Sequence, residues 1–407
     1  MSLIVQKFGG SSVANAERVF NVADIITKTY DEGNNVVVVV SAQGDTTDDL
    51  IDKAKEINPN ASKREMDMLL TSGEQISASL LAMAIEKLGY PVVSLLGWQA
   101  GFYTNSSYGS ARIKDLNPER IRKEIDKKNI VIVTGFQGIN KYSDMTTLGR
   151  GGSDTSAVAI AAKMHADKCQ IFTDVDGVYT ADPRKIPDAK KLDVISYDEM
   201  LELASLGAQV LNNRSVEMAK KYDVVLEVLS SLTRKPGTIV REVNSMEEMI
   251  VSGVAKDTNV TRFSIIGVPD RPGLAFKIFS KLGANDVNVD IILQSIGRNG
   301  TKDISFTVAK DHTQKVQDIL GAYIETLGAS SIIYDEKVAK VSVVGAGMES
   351  HPNVAASVFE ALYGANINIR MISTSEIKIS VLIDIEDADS AVKVLHQKFF
   401  GPEIVNS

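Results

Sequence analysis

The stretch Thr147-Leu148-Gly149-Arg150-Gly151-Gly152-Ser153-Asp154 constrains this chain more than any other. An apolar run at 130–136 precedes it and reads as a buried strand, and an alanine-rich segment at 155–164 follows and reads as a helix. Glycines between a strand and a helix make a turn that gathers backbone N–H groups and a helix N-terminus at one point, which suits an anion. Arg150 adds a forked cation matched to carboxylate or phosphate. Capping of the helix by Ser153 or Asp154 is the alternative use of the same residues.

The N-terminus repeats the device. A strand at 4–8 runs into Gly9-Gly10-Ser11-Ser12 and then a helix at about 15–28, with Lys7 placed to reach the turn. No GxxxxGK[ST] is present, so this is not a Walker A loop. The five valines at 36–40 read as a strand covered on both faces, ending in a polar loop at 41–48. In open α/β sheets ligands bind at that edge. Residues 66–88 read as one long helix, in which Glu74 either faces a pocket or is an exposed carboxylate. A strand at 91–95, a polar mobile loop at 100–111 and an amphipathic helix at 116–127 follow. The strand at 170–172 continues into Thr173-Asp174-Val175-Asp176-Gly177-Val178-Tyr179-Thr180-Ala181-Asp182-Pro183-Arg184. Acids at such a strand end either serve a Mg²⁺–nucleotide or a lysine, or cap the loop. Helices at 197–206 and 214–221, a strand at 224–228 and a Pro236-Gly237-Thr238 turn complete the pattern. Up to about 243, strand and helix alternate, which predicts an α/β domain with a mainly parallel sheet between helix layers.

Beyond residue 244 the period changes. Strands at 260–268, 287–293 and 303–308 interleave with helices at 273–282 and 314–327, and 332–334 begins the pattern again. Strands at 338–346, 367–372 and 376–383 with helices at 353–363 and 388–399 complete a second copy. Gly283-Ala284-Asn285 matches Gly364-Ala365-Asn366 at an offset of 81 residues, and Val341-Ser342-Val343-Val344-Gly345 echoes Phe263-Ser264-Ile265-Ile266-Gly267. Two ferredoxin-like βαββαβ units in tandem follow, with 249–254 available as an extra strand for either. The glycine-containing turn at 270–273 and the turn at 350–353 expose helix N-terminal amides suited to an amino acid's carboxylate, with Asp270 able to meet its ammonium. The expected domains are 1–243, a linker at 244–257, then 258–335 and 336–407.

Composition excludes several classes. A formal net charge of −8 disfavours nucleic acid and anionic membrane as partners. The single cysteine, Cys169, excludes an internal disulfide, and four histidines without Cys/His spacing argue against zinc. The N-terminus does not read as a signal peptide and no apolar run approaches transmembrane length, so a cytoplasmic location is expected.

With Lys7-Phe8-Gly9-Gly10-Ser11-Ser12-Val13, Ser72-Gly73-Glu74, the 147–154 stretch and Thr173-Asp174-Val175-Asp176-Gly177-Val178-Tyr179 in this order, the whole chain resembles aspartate kinases that end in a pair of ACT domains. The resemblance implies an amino-acid-kinase fold and phosphoryl transfer from MgATP to the side-chain carboxylate of L-aspartate. That gives 4-phospho-L-aspartate, the first step toward lysine, threonine and methionine. It implies Lys7 and Asp154 as the catalytic pair. Arg150, Glu74, Ser41 and Thr47 would hold aspartate. Gly9, Gly10 and Ser11 would cradle phosphates, with Thr173, Asp174, Tyr179 and Arg184 along the nucleotide and no dedicated protein metal site. It also implies feedback control by lysine and/or threonine at ACT contacts of a homodimer. The candidates there are Asp270, Ile291, Gln294, Asn366, Ile367, Ser373, Thr374, Ser375 and Glu376. Gln209, Asn212 and Leu229 depart from the family pattern, at positions where Lys, His and Arg are common. An ACT-only product from an internal start such as Met246 or Met249 is a further possibility of the same family. Two other readings compete: a glutamate 5-kinase of the same fold, and an amino-acid sensor built on an inactive kinase.

Overall fold

The computed structural model describes residues 1–206, 210–243, 250–295, 297, 300–348, 351 and 353–401. Gln209, Ser350, Met246 and Met249, singled out above, lie outside them. The chain forms two compact units, 1–179 with 190–246, and 180–189 with 247–407.

The first unit runs β1 (Leu3–Phe8), α1 (Ala16–Asp31), β2 (Asn35–Val40), α2 (Thr46–Ile57), α3 (Lys63–Leu70), α4 (Ser72–Lys87), β3 (Val92–Leu95), β4 (Phe102–Thr104), β5 (Ile113–Leu116), α5 (Glu119–Asp126), β6 (Ile130–Thr134), β7 (Gln137–Ile139), β8 (Met145–Thr147), α6 (Gly152–Met164), β9 (Lys168–Thr173), β10 (Val194–Ile195), α7 (Tyr197–Ser205), α8 (Asn213–Tyr222), β11 (Leu226–Ser230) and β12 (Thr238–Val240). Its main sheet has the order β10-β12-β11-β9-β1-β2-β6-β3. The strands from β11 to β3 are mutually parallel, and β12 runs against β11. The apolar runs of β2 and β6 are buried throughout because both sheet faces are covered. Val36, Val38 and Val40 pack with Val22 and Ile26 of α1 and Leu81 and Ile85 of α4. Helices α5 and α6 lie against β2 as well. Cys169 on β9 is fully buried, and burial pushes its thiol well above the usual range.

Several elements differ from expectation. The long helix at 66–88 breaks at Thr71, where the Thr71 and Ser72 hydroxyls donate back to Met68 O (3.0 Å) and Leu69 O (2.7 Å). Taken together, Lys63–Lys87 is long and apolar enough to cross a bilayer by length and composition, contrary to the sequence expectation; half of it is buried inside the unit as a core helix would be. The polar loop at 41–48 already contains the start of α2. The expected mobile loop at 100–111 carries β4, which joins β5, β7 and β8 in a small second sheet.

The second unit runs β13 (Gly253–Asp257), β14 (Val260–Pro269), α9 (Leu274–Gly283), β15 (Val289–Gln294), β16 (Thr301–Ala309), α10 (Thr313–Gly321), α11 (Ile324–Leu327), β17 (Ser331–Asp335), β18 (Val338–Val344), α12 (Asn353–Gly364), β19 (Ile369–Ser375), β20 (Lys378–Asp384) and α13 (Ala388–Phe400). Its sheets have the orders β15-β16-β14-β17 and β13-β18-β20-β19. Residues 332–334 therefore close the first repeat rather than open the second, and β13 completes the second sheet from ahead of the first repeat. The expected helix at 314–327 is split into α10 and α11. The repeats share a cross-strand serine pair, Ser264–Ser305 at 2.8 Å and Ser342–Ser380 at 2.7 Å. The left-handed residues after α9 and α12 are Asp286 (φ 54°) and Asn366 (φ 56°). They lie 80 residues apart, so the Gly-Ala-Asn match at 81 is out of step with the structure by one.

The segment 180–189, expected in the first domain, is built into the second unit. Thr180 pairs with buried His396 (Oγ1–Nε2 2.9 Å), and Val254 N donates to Thr180 O (2.8 Å). Ala181 and Ile186 join the apolar core of Val341, Val358 and Leu395.

Candidate active site

The C-terminal ends of β1, β2, β6 and β9 meet at one edge of the parallel sheet, with the order of connection reversing at β1. Lys7 near the end of β1 and Asp154 in the first turn of α6 stand there with Nζ–Oδ1 at 2.7 Å, both nearly buried. Asp154 Oδ1 makes no aligned hydrogen bond, so charge alone joins the two groups. Helix α6 begins on Gly151 with no side-chain cap. Ser153 and Asp154 therefore lie inside the helix; Gly152 N donates to Gly149 O at 2.9 Å, and no side chain caps the first turn.

Close backbone approach assembles the edge. A Cβ on Gly10 would stand 2.5 Å from Ala42 O, and Gly44 N donates to Gly10 O at 3.0 Å. The Gly9–Ser11 turn thus fits against the loop after β2 only with glycine at position 10. Beneath it Phe8 stacks on Phe172 at 4.6 Å.

Glu74, in the first turn of α4, is 3% exposed. Its Oε1 accepts Ala42 N at 3.2 Å, and its Oε2 is buried without a partner. Burial pushes this carboxyl up to about 7, against smaller opposing effects of backbone hydrogen bonds. A buried carboxylate with one unsatisfied oxygen is built for a cation. Ser41 and Thr47, on the loop after β2 and the first turn of α2, are half-buried. Arg150 is exposed on the β8–α6 loop, and its carbonyl accepts from Asn212 Nδ2 at 3.2 Å.

On the other side of β1, Thr173 Oγ1 donates to Asp174 at 2.9 Å. Tyr179 donates its hydroxyl to Asp176 at 2.7 Å, which pushes the phenol up to about 12. Lys7, Gly9, Gly10, Ser11, Ser41, Thr47, Glu74, Arg150, Asp154, Thr173, Asp174 and Tyr179 all belong to the first unit. Arg184 is not among the groups that this unit gathers: it lies on the 180–189 segment, paired to Asp182 at 3.0 Å. Leu229 packs into the core with Phe8 and Phe172.

Of the effector candidates, Ile291 and Ile367 are buried in apolar clusters, so their side chains serve packing. Gln294, Asn366, Thr374, Ser375 and Glu376 are exposed, and Ser373 is half-buried. One oxygen of Asp270 is taken by Lys302 at 2.9 Å. Sequence reasoning passed over Asp67, a carboxylate 1% exposed; its signal was a lone acid inside the apolar run Met66-Asp67-Met68-Leu69-Leu70.

Residues 2–230 match the amino acid kinase family, and residues 263–325 and 341–399 each match the ACT domain. The chain is 52% identical to the aspartokinase of Mycolicibacterium smegmatis over 405 residues, covering 98% of this chain and 96% of that protein. It is 50% identical to the aspartokinase of Corynebacterium glutamicum with the same coverage. Among solved structures, E. coli aspartokinase III in complex with aspartate and ADP (R-state) superposes with a TM-score of 0.84 at 26% identity, covering 98% of this chain and all of that one. The same enzyme with lysine and aspartate (T-state) gives 0.76 at 26% identity, covering 98% and 99%. A likeness that runs through both units and holds at half of all positions settles the family: the chain belongs to the aspartokinases.

Proposed function

We propose that the sheet edge around Lys7 binds L-aspartate and MgATP as follows. Glu74 takes the substrate ammonium with its unsatisfied oxygen, Arg150 clamps the α-carboxylate, and Ser41 and Thr47 hold the remaining groups. Gly9, Gly10 and Ser11 cradle phosphates, and Thr173, Asp174 and Tyr179 line the nucleotide. The side-chain carboxylate oxygen attacks the γ-phosphorus while the bond from that phosphorus to the β-phosphate oxygen breaks, giving 4-phospho-L-aspartate and ADP. No proton moves, because a carboxylate is already ionised at neutral pH. Lys7 neutralises charge on the phosphoryl group in transfer and Asp154 orients Lys7, so positioning and electrostatics suffice. The single observation that carries this is the nearly buried Lys7–Asp154 pair at 2.7 Å beside an uncapped helix N-terminus.

Among the described residues no group of three or more His, Cys, Asp or Glu could hold a metal. A Mg²⁺ would be held mainly by the nucleotide's own phosphate oxygens. When bound, the ion supplies further charge neutralisation between the phosphates.

The second unit is proposed to sense end-product amino acids, lysine and/or threonine, by population shift, in a cytoplasmic homodimer joined through ACT domains. The lysine-bound relative supports this reading. The test is ADP release with MgATP and L-aspartate, with hydroxylamine trapping the acyl phosphate, alone and with lysine, threonine or both. Aspartate-dependent turnover lost in Lys7→Met supports the assignment. Equal turnover in that variant refutes the role of Lys7, and unchanged activity and melting temperature with both amino acids refute the sensing role.

A further inference from the structure

The clamp proposed for the substrate carboxylate stands on an unsteady piece of chain. Arg150 is exposed and flanked by Gly149 (φ 80°) and Gly151 (φ 67°), two residues with wide backbone freedom. No ion pair holds its side chain among the described residues. Whatever fixes the loop backbone therefore fixes where the guanidinium stands.

Three side chains from outside the loop do so, at successive points. Asp67 of α3 accepts Thr147 N at 3.0 Å and Thr147 Oγ1 at 2.7 Å. Arg214 of α8 donates to Leu148 O at 2.9 Å, and Asn212 donates to Arg150 O at 3.2 Å. Asp67 also takes Gly109 N with both oxygens at 3.0 Å, and Ala111 N returns to Thr147 O at 2.8 Å. The 105–111 loop and the arginine loop are thus tied to one carboxylate. A second bracket from the same helix, Arg64 on Asp144 at 2.7 Å, holds the chain that enters β8.

Asp67 is a costly choice for packing alone. It is a carboxylate buried to 1% exposure with no ion pair among the described residues, and burial raises its pKa. Only a carboxylate offers two acceptor oxygens to Thr147 N, Thr147 Oγ1 and Gly109 N together. An asparagine would turn its NH₂ on one of them. Arg214 is a comparable case: a half-buried cation whose charge is disfavoured first by burial and then by Arg112, spent on a loop carbonyl.

We propose that Asp67, acting through Thr147 and seconded by Arg214, is a positioning residue for aspartate binding that sets Arg150 against the substrate α-carboxylate. This rests on the Arg150 assignment above, and the test separates the two. Thr147→Val removes one hydrogen bond to Asp67 at constant shape, Thr147→Ser keeps it, and Asp67→Asn breaks the set. Each is measured for KM of aspartate and of ATP, alone and combined with Arg150→Ala. The expected result is a KM for aspartate raised roughly tenfold in Thr147→Val and more in Asp67→Asn, the size of losing hydrogen bonds to a charged group. KM for ATP stays within about twofold, and Thr147→Ser behaves as wild type. On the Arg150→Ala background Thr147→Val then has no further effect. Equal rises in both KM values, failure of serine to rescue, or full additivity with Arg150→Ala overturns the proposal. An unchanged KM for aspartate in Arg150→Ala alone overturns the Arg150 assignment instead. Should Asp67→Asn fail to fold, the Thr147 pair decides.

Discussion

Glu74 sets stability against binding at a single side chain. Its carboxyl is raised from an ordinary 4.5 to about 7 by burial, so the free protein binds a proton that the unfolded chain has released. The associated stability is complete below about 4.5 and is lost as pH rises through 7, roughly 3 kcal/mol in all. Glu74→Gln is therefore expected to raise the melting temperature at pH 8 by several degrees in calorimetry, and to leave it nearly unchanged at pH 4.5. In the binding mode proposed above, the substrate ammonium needs the ionised form. KM for aspartate in the wild type should rise as pH falls from 8 to 6, whereas in Glu74→Gln it should be high and flat over that range. The sequence singles out Glu74 because an acid in an apolar helix has few uses. It could not separate a pocket from an exposed face, since that depends on Ala42 and the loop after β2.

At the scale of elements, what was legible tracks how much each element is buried by its own composition. The two-sided strands β2 and β6 are continuous apolar runs and were read closely. Helix α2 buries no residue, and its start reads in the sequence as part of the polar loop at 41–48; β4, β7 and β8 are three residues long, too short for any period to register. The site residues were legible through their glycines, because a turn that must approach another backbone cannot carry a Cβ. Gly10→Ala tests this directly. Its methyl would meet Ala42 O at 2.5 Å, so the turn and the loop after β2 must separate. The expected cost is about 1–3 kcal/mol in denaturant unfolding, with KM for ATP raised more than KM for aspartate. The repeat in the second unit is legible too, including the echo of Ser264 in Ser342, but neither the serine pairs nor its sheet membership is. Nothing local in β13 says that it completes the sheet of the later repeat rather than the nearer one.

Across the whole molecule, the change in period at 243 puts 180–189 with the first domain, whereas the structure builds that segment into the second unit. That segment leaves the chain just after Tyr179, buries Ala181 and Ile186 in the second unit's core and bonds Thr180 to His396. Its partners are distant in sequence, from Val254 to His396, which is 216 residues from Thr180, beyond the reach of any pattern in the segment itself. A fragment ending at 246 would leave those apolar side chains uncovered. It is expected to melt lower and aggregate more readily than the full chain at equal concentration, and Ile186→Ser should restore part of its solubility. For anyone grafting the sensing half of one such enzyme onto the kinase half of another, the consequence is a seam in two places. A chimera joined only near 246 carries the donor's pocket around a foreign ten-residue plug, whereas one that also transplants 180–189 keeps plug and socket from a single parent.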